Sequence, residues 1–333
     1  MNFDFSDEQV MLRDSVARFI QDDYDFDTRR RIVASELGMS KENWDTFAEL
    51  GWLSVPFGEE FGGFGGGPVD LMVMMEEFGK GLVVEPYLAT VVLFGGLLRH
   101  GGSDAQQSDF IPRIIEGSCL GAFAYLERQS RFELADVKTT ATRQGDDYLL
   151  HGEKVVVFNG ANADTLIVSA RTAGEQTDDH GITLFLVPAN APGVEIVDYR
   201  LMDGQRVANV VLRDVTLGAS HVVGALDEGL RLMQAVILEA CVALGAEALG
   251  IMGQLNAKTL EYTRTREQFG VPIGSFQALQ HRMVDTFMSY EQTKSLLYRA
   301  VCALEKADEN PARDIHALKV MVDKAAKHIY GEA

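Results

Sequence analysis

The stretch from Arg266 to Gln280, REQFGVPIGSFQALQ, lies between two long helical patterns and interrupts both. It carries one Arg, two Phe and three Gln around a Gly-Val-Pro-Ile-Gly break. As a connector it reads as an αα-corner. Gly270 and Gly274 supply the turn, Pro272 the rigidity, and Ser275 the cap of the next helix. The amides and aromatics exceed what a turn needs, so a binding site is the second reading.

Working outward, the residues before the corner form an almost unbroken helical pattern from about Leu226 to Gln268, with Ala240, Ala243, Ala246 and Gly250 recurring every three or four positions. A globular helix rarely runs about 40 residues alone, so it belongs in a bundle or between subunits, with a neighbour approaching over the small residues. After the corner, Leu279, Met283, Phe287, Tyr290 and Leu297 mark another helix, and a last one begins near Pro311. Residues 1–117 are also helical in period. Ser6 and Gln9 form a capping box before DEQVMLRDSVARFI, whose Leu12, Val16, Phe19 and Ile20 share a face. KENWDTFAELG reads as a helix stopped by Gly51, a long apolar helix begins near Val69, and YLATVVLFGGLLRHG and DAQQSDFIPRIIEG follow.

Residues 118–224 change character. Short β-rich runs such as EKVVVFNG, DTLIVSAR and ITLFLVP alternate with turns at Gly145-Asp146-Asp147, Gly152, Asn159-Gly160 and Pro192-Gly193. Such spacing predicts a β-barrel or sandwich. The organisation expected is an N-terminal helical domain (1–117), a central β domain (118–224) and a C-terminal helical domain (225–333).

Composition narrows the function. In 333 residues, 47% are apolar and 24% charged, as in an ordinary globular chain. Thirty Lys and Arg against 49 Asp and Glu leave a net charge of −19, which argues against nucleic acid as a partner. Cys119, Cys241 and Cys302 fit no zinc or disulfide spacing, which points to a reducing, cytoplasmic setting. MNFDFSDEQ lacks an apolar signal region, and no run of about 18 apolar residues is free of charge, so no membrane span is expected.

Several chemistries are set aside. GGFGGGP (62–68) is neither GxGxxG nor a Walker motif and reads as a loop before a helix. The seven His show no metal spacing, and no GxSxG occurs. Glu239 and Glu247 lie among small apolar residues of the long helix. Each is read either as a base with raised pKa or as a carboxylate paired with Arg from a neighbouring helix.

At the corner a resemblance emerges. YTRTREQFGVPIGSFQALQHRMVD (262–285) resembles the signature of the acyl-CoA dehydrogenase family, R-x-Q-F-G-x-P-I followed by F-Q-x-x-Q. The likeness extends along the chain through DEQVMLRDSVARF, FAELGWLSVPFGEEFGGFGG, FIPRIIEGSCLGAFAYLE, GEKVVVFNGANADTLIVSAR and GQRVANVVLRDVTLG. Within the family, residues 59–93 and IVSARTAG look most like the small subunits of the pimeloyl-CoA dehydrogenase branch.

The resemblance implies an α-helical domain, a central β-barrel and a second helical bundle, assembled as a homotetramer or as a heterotetramer with a related large subunit. It implies FAD as cofactor, an acyl-CoA as substrate, α,β-dehydrogenation to the trans-2-enoyl-CoA, and an electron-transfer flavoprotein as acceptor. Arg266 would contact the FAD pyrophosphate, Gln268 and Phe269 the adenosine half, and Phe276 and Gln277 the same surface offered to a neighbouring subunit. AYLERQSRFEL (124–134) occupies the family's T-E-P-x-x-G-S-D loop and VVVFN (155–159) its W-I-T-N strand, which places Tyr125, Leu126, Val156 and Phe158 at the flavin.

Departures from the pattern are specific. Leu126 stands for the threonine, Arg128 for the proline, Arg131-Phe132 for Gly-Ser, Val156 for Trp and Phe158 for Thr, while Glu127 is kept. Side-chain hydrogen bonds to the flavin are therefore expected to be lost or moved to backbone. The family's base position on the long helix falls at Ala240-Cys241, one residue from Glu239. The second base position follows a Q-x-x-G-G segment that would begin where this sequence ends, at YGEA, and so lies beyond Ala333. Glu247 is the remaining substitute. A non-catalytic structural subunit of a heteromeric dehydrogenase is the alternative reading.

Overall fold

The computed structural model describes residues 4–306 and 310–333. Its helices are α1 (Asp7–Asp23), α2 (Phe26–Ala34), α3 (Lys41–Glu49), α4 (Pro68–Gly81), α5 (Gly95–Gly101), α6 (Asp104–Ile115), α7 (Gly229–Thr265), α8 (Gln277–Glu305) and α9 (Pro311–Glu332). Its strands are β1 (Gly121–Ala124), β2 (Thr140–Gln144), β3 (Asp147–Phe158), β4 (Thr165–Arg171), β5 (Ile182–Pro188), β6 (Val194–Arg200), β7 (Arg206–Gly218), β8 (Val222–Val223), β9 (Glu267–Gln268) and β10 (Val271–Pro272). They fall into two compact units. One comprises Met1–Arg29, Gly67–Val83 and Cys241–Ala333, the other Arg30–Gly66 and Val84–Ala240.

In the first unit, α1 packs on α4, α4 on α8, and α8 on α9. The capping box of α1 is formed, Gln9 N donating to Ser6 Oγ at 3.2 Å and Ser6 N to Gln9 Oε1 at 3.0 Å. Its apolar stripe buries Val16 and Phe19. Helix α7 is 37 residues long, and its small residues do let a neighbour approach. A Cβ at Gly250 would sit 1.9 Å from the Glu76 carbonyl oxygen of α4, and one at Gly79 would sit 2.0 Å from that of Glu247. Only glycine permits that spacing. By length and hydropathy α7 passes for a membrane-crossing helix, an outcome the sequence reading did not anticipate. Half of its most apolar window is buried within the protein, as a core helix requires.

The second unit is built on a sheet ordered β6-β7-β3-β2-β4-β5-β8, with β1 paired to β4. The expected barrel is corrected here. β6 and β8 are opposite edges and do not pair, so the sheet is open. Alternation and turn spacing report which faces are buried; closure requires the edge strands to bond, and β8 is two residues long. Gly152, expected as a turn, lies inside β3 at a register shift, where a Cβ would come within 2.5 Å of Thr139 Oγ1. It marks a bulge rather than a corner. The core gathers Leu150, Val157, Leu166, Val168, Phe185 and Val210, each 1% exposed or less, and each burial contributes about 1.5–3 kcal/mol.

Helical surroundings complete that unit. Ser40 caps α3, Gly51 follows it at φ 76° as the expected stop, and Phe47 packs on Trp52 with ring centroids 4.9 Å apart. The helix expected over 87–101 is π-type through Leu88–Phe94 and α-type from Gly95.

Candidate functional site

The sequence-selected residues fall into two groups, one on each unit. The sheet-side group contains Tyr125, Leu126, Val156 and Phe158, all half-buried. Tyr125 stacks on Phe123 at 4.7 Å between ring centroids. The Leu126 carbonyl accepts from Val155 N at 2.9 Å, which joins the loop after β1 directly to β3. Val156 sits at φ 54° on a register shift between Lys154 and Val157. A β-branched side chain in the left-handed region is strained, and such strain persists only where the surroundings enforce it. Arg131 is also left-handed at φ 49°, and Phe132 beside it is 99% exposed.

Beneath this group lies a buried ion pair that the sequence reading missed. Lys154 Nζ is 2.7 Å from Glu127 Oε1, with the side chains 0% and 4% exposed. Lys154 also donates to Ser169 Oγ at 3.0 Å. The Glu127 carboxylate accepts from Lys138 N at 2.8 Å, Thr139 N at 3.0 Å and Gln129 Nε2 at 2.8 Å. Burial works to raise the Glu127 pKa, but the Lys154 charge and these hydrogen bonds outweigh it and hold the carboxyl at about 2. Burial pushes the Lys154 ammonium down, with Glu127 opposing. A usable signal was present: a lysine inside the apolar run EKVVVF needs a buried counter-charge.

The corner group contains Arg266, Gln268, Phe269, Phe276 and Gln277. β9 and β10 pair as a two-residue ladder around Gly270, at φ 80°. The αα-corner is thus built, with one correction. Ser275 does not cap α8; its hydroxyl donates to the Pro272 carbonyl, and Phe276 occupies the cap position without a side-chain bond. Arg266 is exposed, and its guanidinium makes no hydrogen bond or ion pair among the described residues. Phe269 is 92% exposed at φ 56° and meets Phe276 edge-on at 6.2 Å. Gln268 and Gln277 are exposed beside them. A cavity of about 420 Å³ adjoins the corner, lined by Tyr262, Ile273, Met283, Glu332 and Asn256, whose Nδ2 is buried without a partner.

The carboxylates of α7 separate. Glu239 is the paired residue of the two alternatives. Its Oε2 meets Arg99 Nη2 at 2.5 Å and its Oε1 meets His100 Nε2 at 2.7 Å. Burial alone would raise its pKa, but His100 and Arg99 hold it below the ordinary value. A base with both oxygens engaged and a lowered pKa is poorly suited to accept a proton. Glu247 is half-buried. The carboxyl that burial does push up is Glu76 on α4, against the opposing charges of Lys80 and Lys294.

The residues present fit a dinucleotide unequally. An unpaired guanidinium beside an exposed phenylalanine supplies a phosphate fork and a stacking face. The sheet side offers apolar walls and backbone groups, without hydroxyls at positions 126 and 158.

Three consecutive domain models match this chain: acyl-CoA dehydrogenase N-terminal domain over residues 6–118, middle domain over 122–215 and C-terminal domain over 227–333. The chain is 29% identical over 305 residues to the probable acyl-CoA dehydrogenase YngJ of Bacillus subtilis, covering 90% of this chain and 80% of that one. It is similar in structure to PigA with FAD and proline, at TM-score 0.92, 26% identity, and coverage of 100% and 88%. It is also similar to the ChsE4-ChsE5 complex from Mycobacterium tuberculosis, at TM-score 0.89, 25% identity, and coverage of 100% and 86%.

Proposed function

This chain belongs to the acyl-CoA dehydrogenase family of FAD-dependent oxidoreductases acting on CH–CH bonds, and from that we propose that it converts an acyl-CoA thioester to its trans-2-enoyl-CoA and passes the electrons to an electron-transfer flavoprotein. The observation that carries the proposal is the corner, where Arg266 has no side-chain partner among the described residues and Phe269 is held 92% exposed in a left-handed conformation. The two-residue turn Phe269-Gly270 that closes the β9–β10 ladder sets this conformation, and the aromatic ring it holds outward is open to a ligand or partner.

Bound FAD supplies the acceptor for the β-hydride. The Arg266 guanidinium pairs with the pyrophosphate, Phe269 and Phe276 wall the adenosine half, and Gln268 and Gln277 offer amides to its polar edge. These residues serve a dinucleotide whose ring lies on the sheet side of a neighbouring subunit. There Tyr125, Leu126, Val156 and Phe158 form apolar walls that exclude water. Removal of the α-proton falls to a carboxylate other than Glu239, whose oxygens are taken; Glu247 is the candidate tested below. An exposed apolar stripe of Leu260, Tyr262, Val284, Phe287 and Met288 supports assembly into a tetramer. The likeness to pimeloyl-CoA dehydrogenase small subunits points to dicarboxylyl or medium-chain thioesters. Three free cysteines are consistent with the cytoplasm.

The purified chain is expected to carry an oxidised-flavin spectrum that bleaches on anaerobic addition of an acyl-CoA. Glu247→Gln is expected to slow bleaching by about 100-fold or more while the flavin stays bound. Unchanged bleaching would remove Glu247 from the mechanism.

A second reading is supported by the sheet side. With Leu126 and Phe158 at hydroxyl positions and Phe132 99% exposed, this chain is a non-catalytic subunit lending its corner to a related partner's FAD. In that case it is colourless alone and the flavin appears only in a complex.

A further inference from the structure

We propose that the Glu127–Lys154 ion pair is a positioning device for the flavin ring, holding two chain segments in register without touching the cofactor. This inference rests on the first functional reading above. Glu127 directly follows Leu126, and Lys154 precedes Val156 by two residues, so one buried bond pins both segments assigned to the ring. The Leu126–Val155 backbone bond lies between them.

The pair sits at one end of a continuous network. Gln129 Nε2 reaches from Glu127 Oε2 to Asp136 Oδ1 at 3.2 Å, and Gln176 Nε2 donates to the same Asp136 oxygen at 2.5 Å. Arg171 closes the far end. Its guanidinium lies among four backbone carbonyls: Asp178 and His180 at 2.9 Å, Ala135 at 2.6 Å and Gln176 at 2.7 Å. The loop from Leu126 to Val137 is thereby tied at both ends and at its middle. The core faces of β3 and β4 are themselves apolar.

Energetics support a positional role. A buried ion pair is weak evidence for stability, because apolar side chains of similar volume often replace one without loss. What such a pair supplies is a fixed geometry. Here the geometry includes a valine at φ 54°, which unsupported backbone would abandon. Of the residues assigned to the ring, those at 126, 156 and 158 cannot hydrogen-bond a flavin and Tyr125 alone carries a hydroxyl, so the ring depends chiefly on backbone placement, and the pair sets that placement.

The test compares full-length Glu127→Leu/Lys154→Met with Val210→Ala, a cavity-forming control in the same sheet, by FAD titration and thermal melting. The double variant is expected to raise the FAD Kd at least about tenfold with a melting temperature no lower than the control, whose Kd stays at the wild-type value. Glu127→Gln leaves Lys154 its Ser169 bond but not its counter-charge, so it melts lower than wild type, and it serves if the double variant does not fold; a Kd increase larger than that of Val210→Ala is expected. A wild-type Kd in whichever of these variants folds overturns the positioning role alone. An equal Kd rise in Val210→Ala also overturns it, by showing a general effect of destabilisation. A wild-type chain that binds no FAD overturns both this inference and the reading on which it rests.

Discussion

The sheet-side group and the corner spend their polar atoms in opposite ways. On the sheet side, Glu127, Lys154 and Arg171 are buried and bonded inward, and the surface above them is apolar. At the corner, the Arg266 and Gln277 side chains make no hydrogen bond among the described residues, Gln268 Nε2 donates only to the adjacent Glu267 carbonyl at 2.9 Å, and Phe269 is outward. One region shapes a seat; the other offers contacts. Both hold a non-glycine residue in left-handed backbone, Val156 at a register shift of β3 and Phe269 in the turn closed by the β9–β10 ladder. Substitutions in the seat should therefore act through stability and placement, and those in the corner through binding alone.

The largest effect should come from breaking the seat's pair on one side. Lys154→Met leaves a buried carboxylate without its counter-charge, an expected cost of about 3–5 kcal/mol, read as a fall in melting temperature. Arg266→Met should leave the melting temperature where it is; a fall for both would erase the contrast. Acid attacks the same pair more gently. Because the folded carboxyl of Glu127 titrates at about 2 against an ordinary 4.5, its contribution is complete above pH 4.5 and is lost as pH falls toward 2. Stability from denaturant melts should fall across that window in wild type and change less with pH in Glu127→Gln.

Arg266→Ala should weaken FAD by about 10–100-fold, the equivalent of about 1.5–3 kcal/mol for charge-assisted bonds, with melting unchanged. Retained affinity would make Arg266 an ordinary surface charge. The smallest effect is the most discriminating. Phe269→Gly should relieve the left-handed strain and stabilise the protein by about 1 kcal/mol, yet reduce FAD affinity several-fold through lost stacking. Destabilisation would mean that Phe269 packs rather than presents.

Much of the fold was legible because it rests on local signals. The Ser6–Gln9 box, Gly51, the length of α7 and the start of α9 at Pro311 all follow from short-range hydrogen bonding and period. What was hidden depends on partners distant in sequence. Closure of the sheet turns on whether β6 meets β8, which no alternation records. Gly152 looked like a turn because its reason, Thr139 against its Cα, lies on the neighbouring chain segment. The site divides likewise. Arg266 and Phe269 could be picked from their own stretch, whereas Lys154 could be read only with Glu127, 27 residues away. The pairing of Glu239 with Arg99 and His100 settles in space a choice that spacing left open.

The central claim is that this chain is an FAD-dependent acyl-CoA dehydrogenase. It is tested most directly by recording the visible spectrum of the purified full-length protein during anaerobic titration with straight-chain, branched and dicarboxylyl-CoA thioesters. The account predicts an oxidised-flavin band that at least one thioester bleaches stoichiometrically. A protein that holds no flavin, or one whose flavin no thioester reduces, would contradict it.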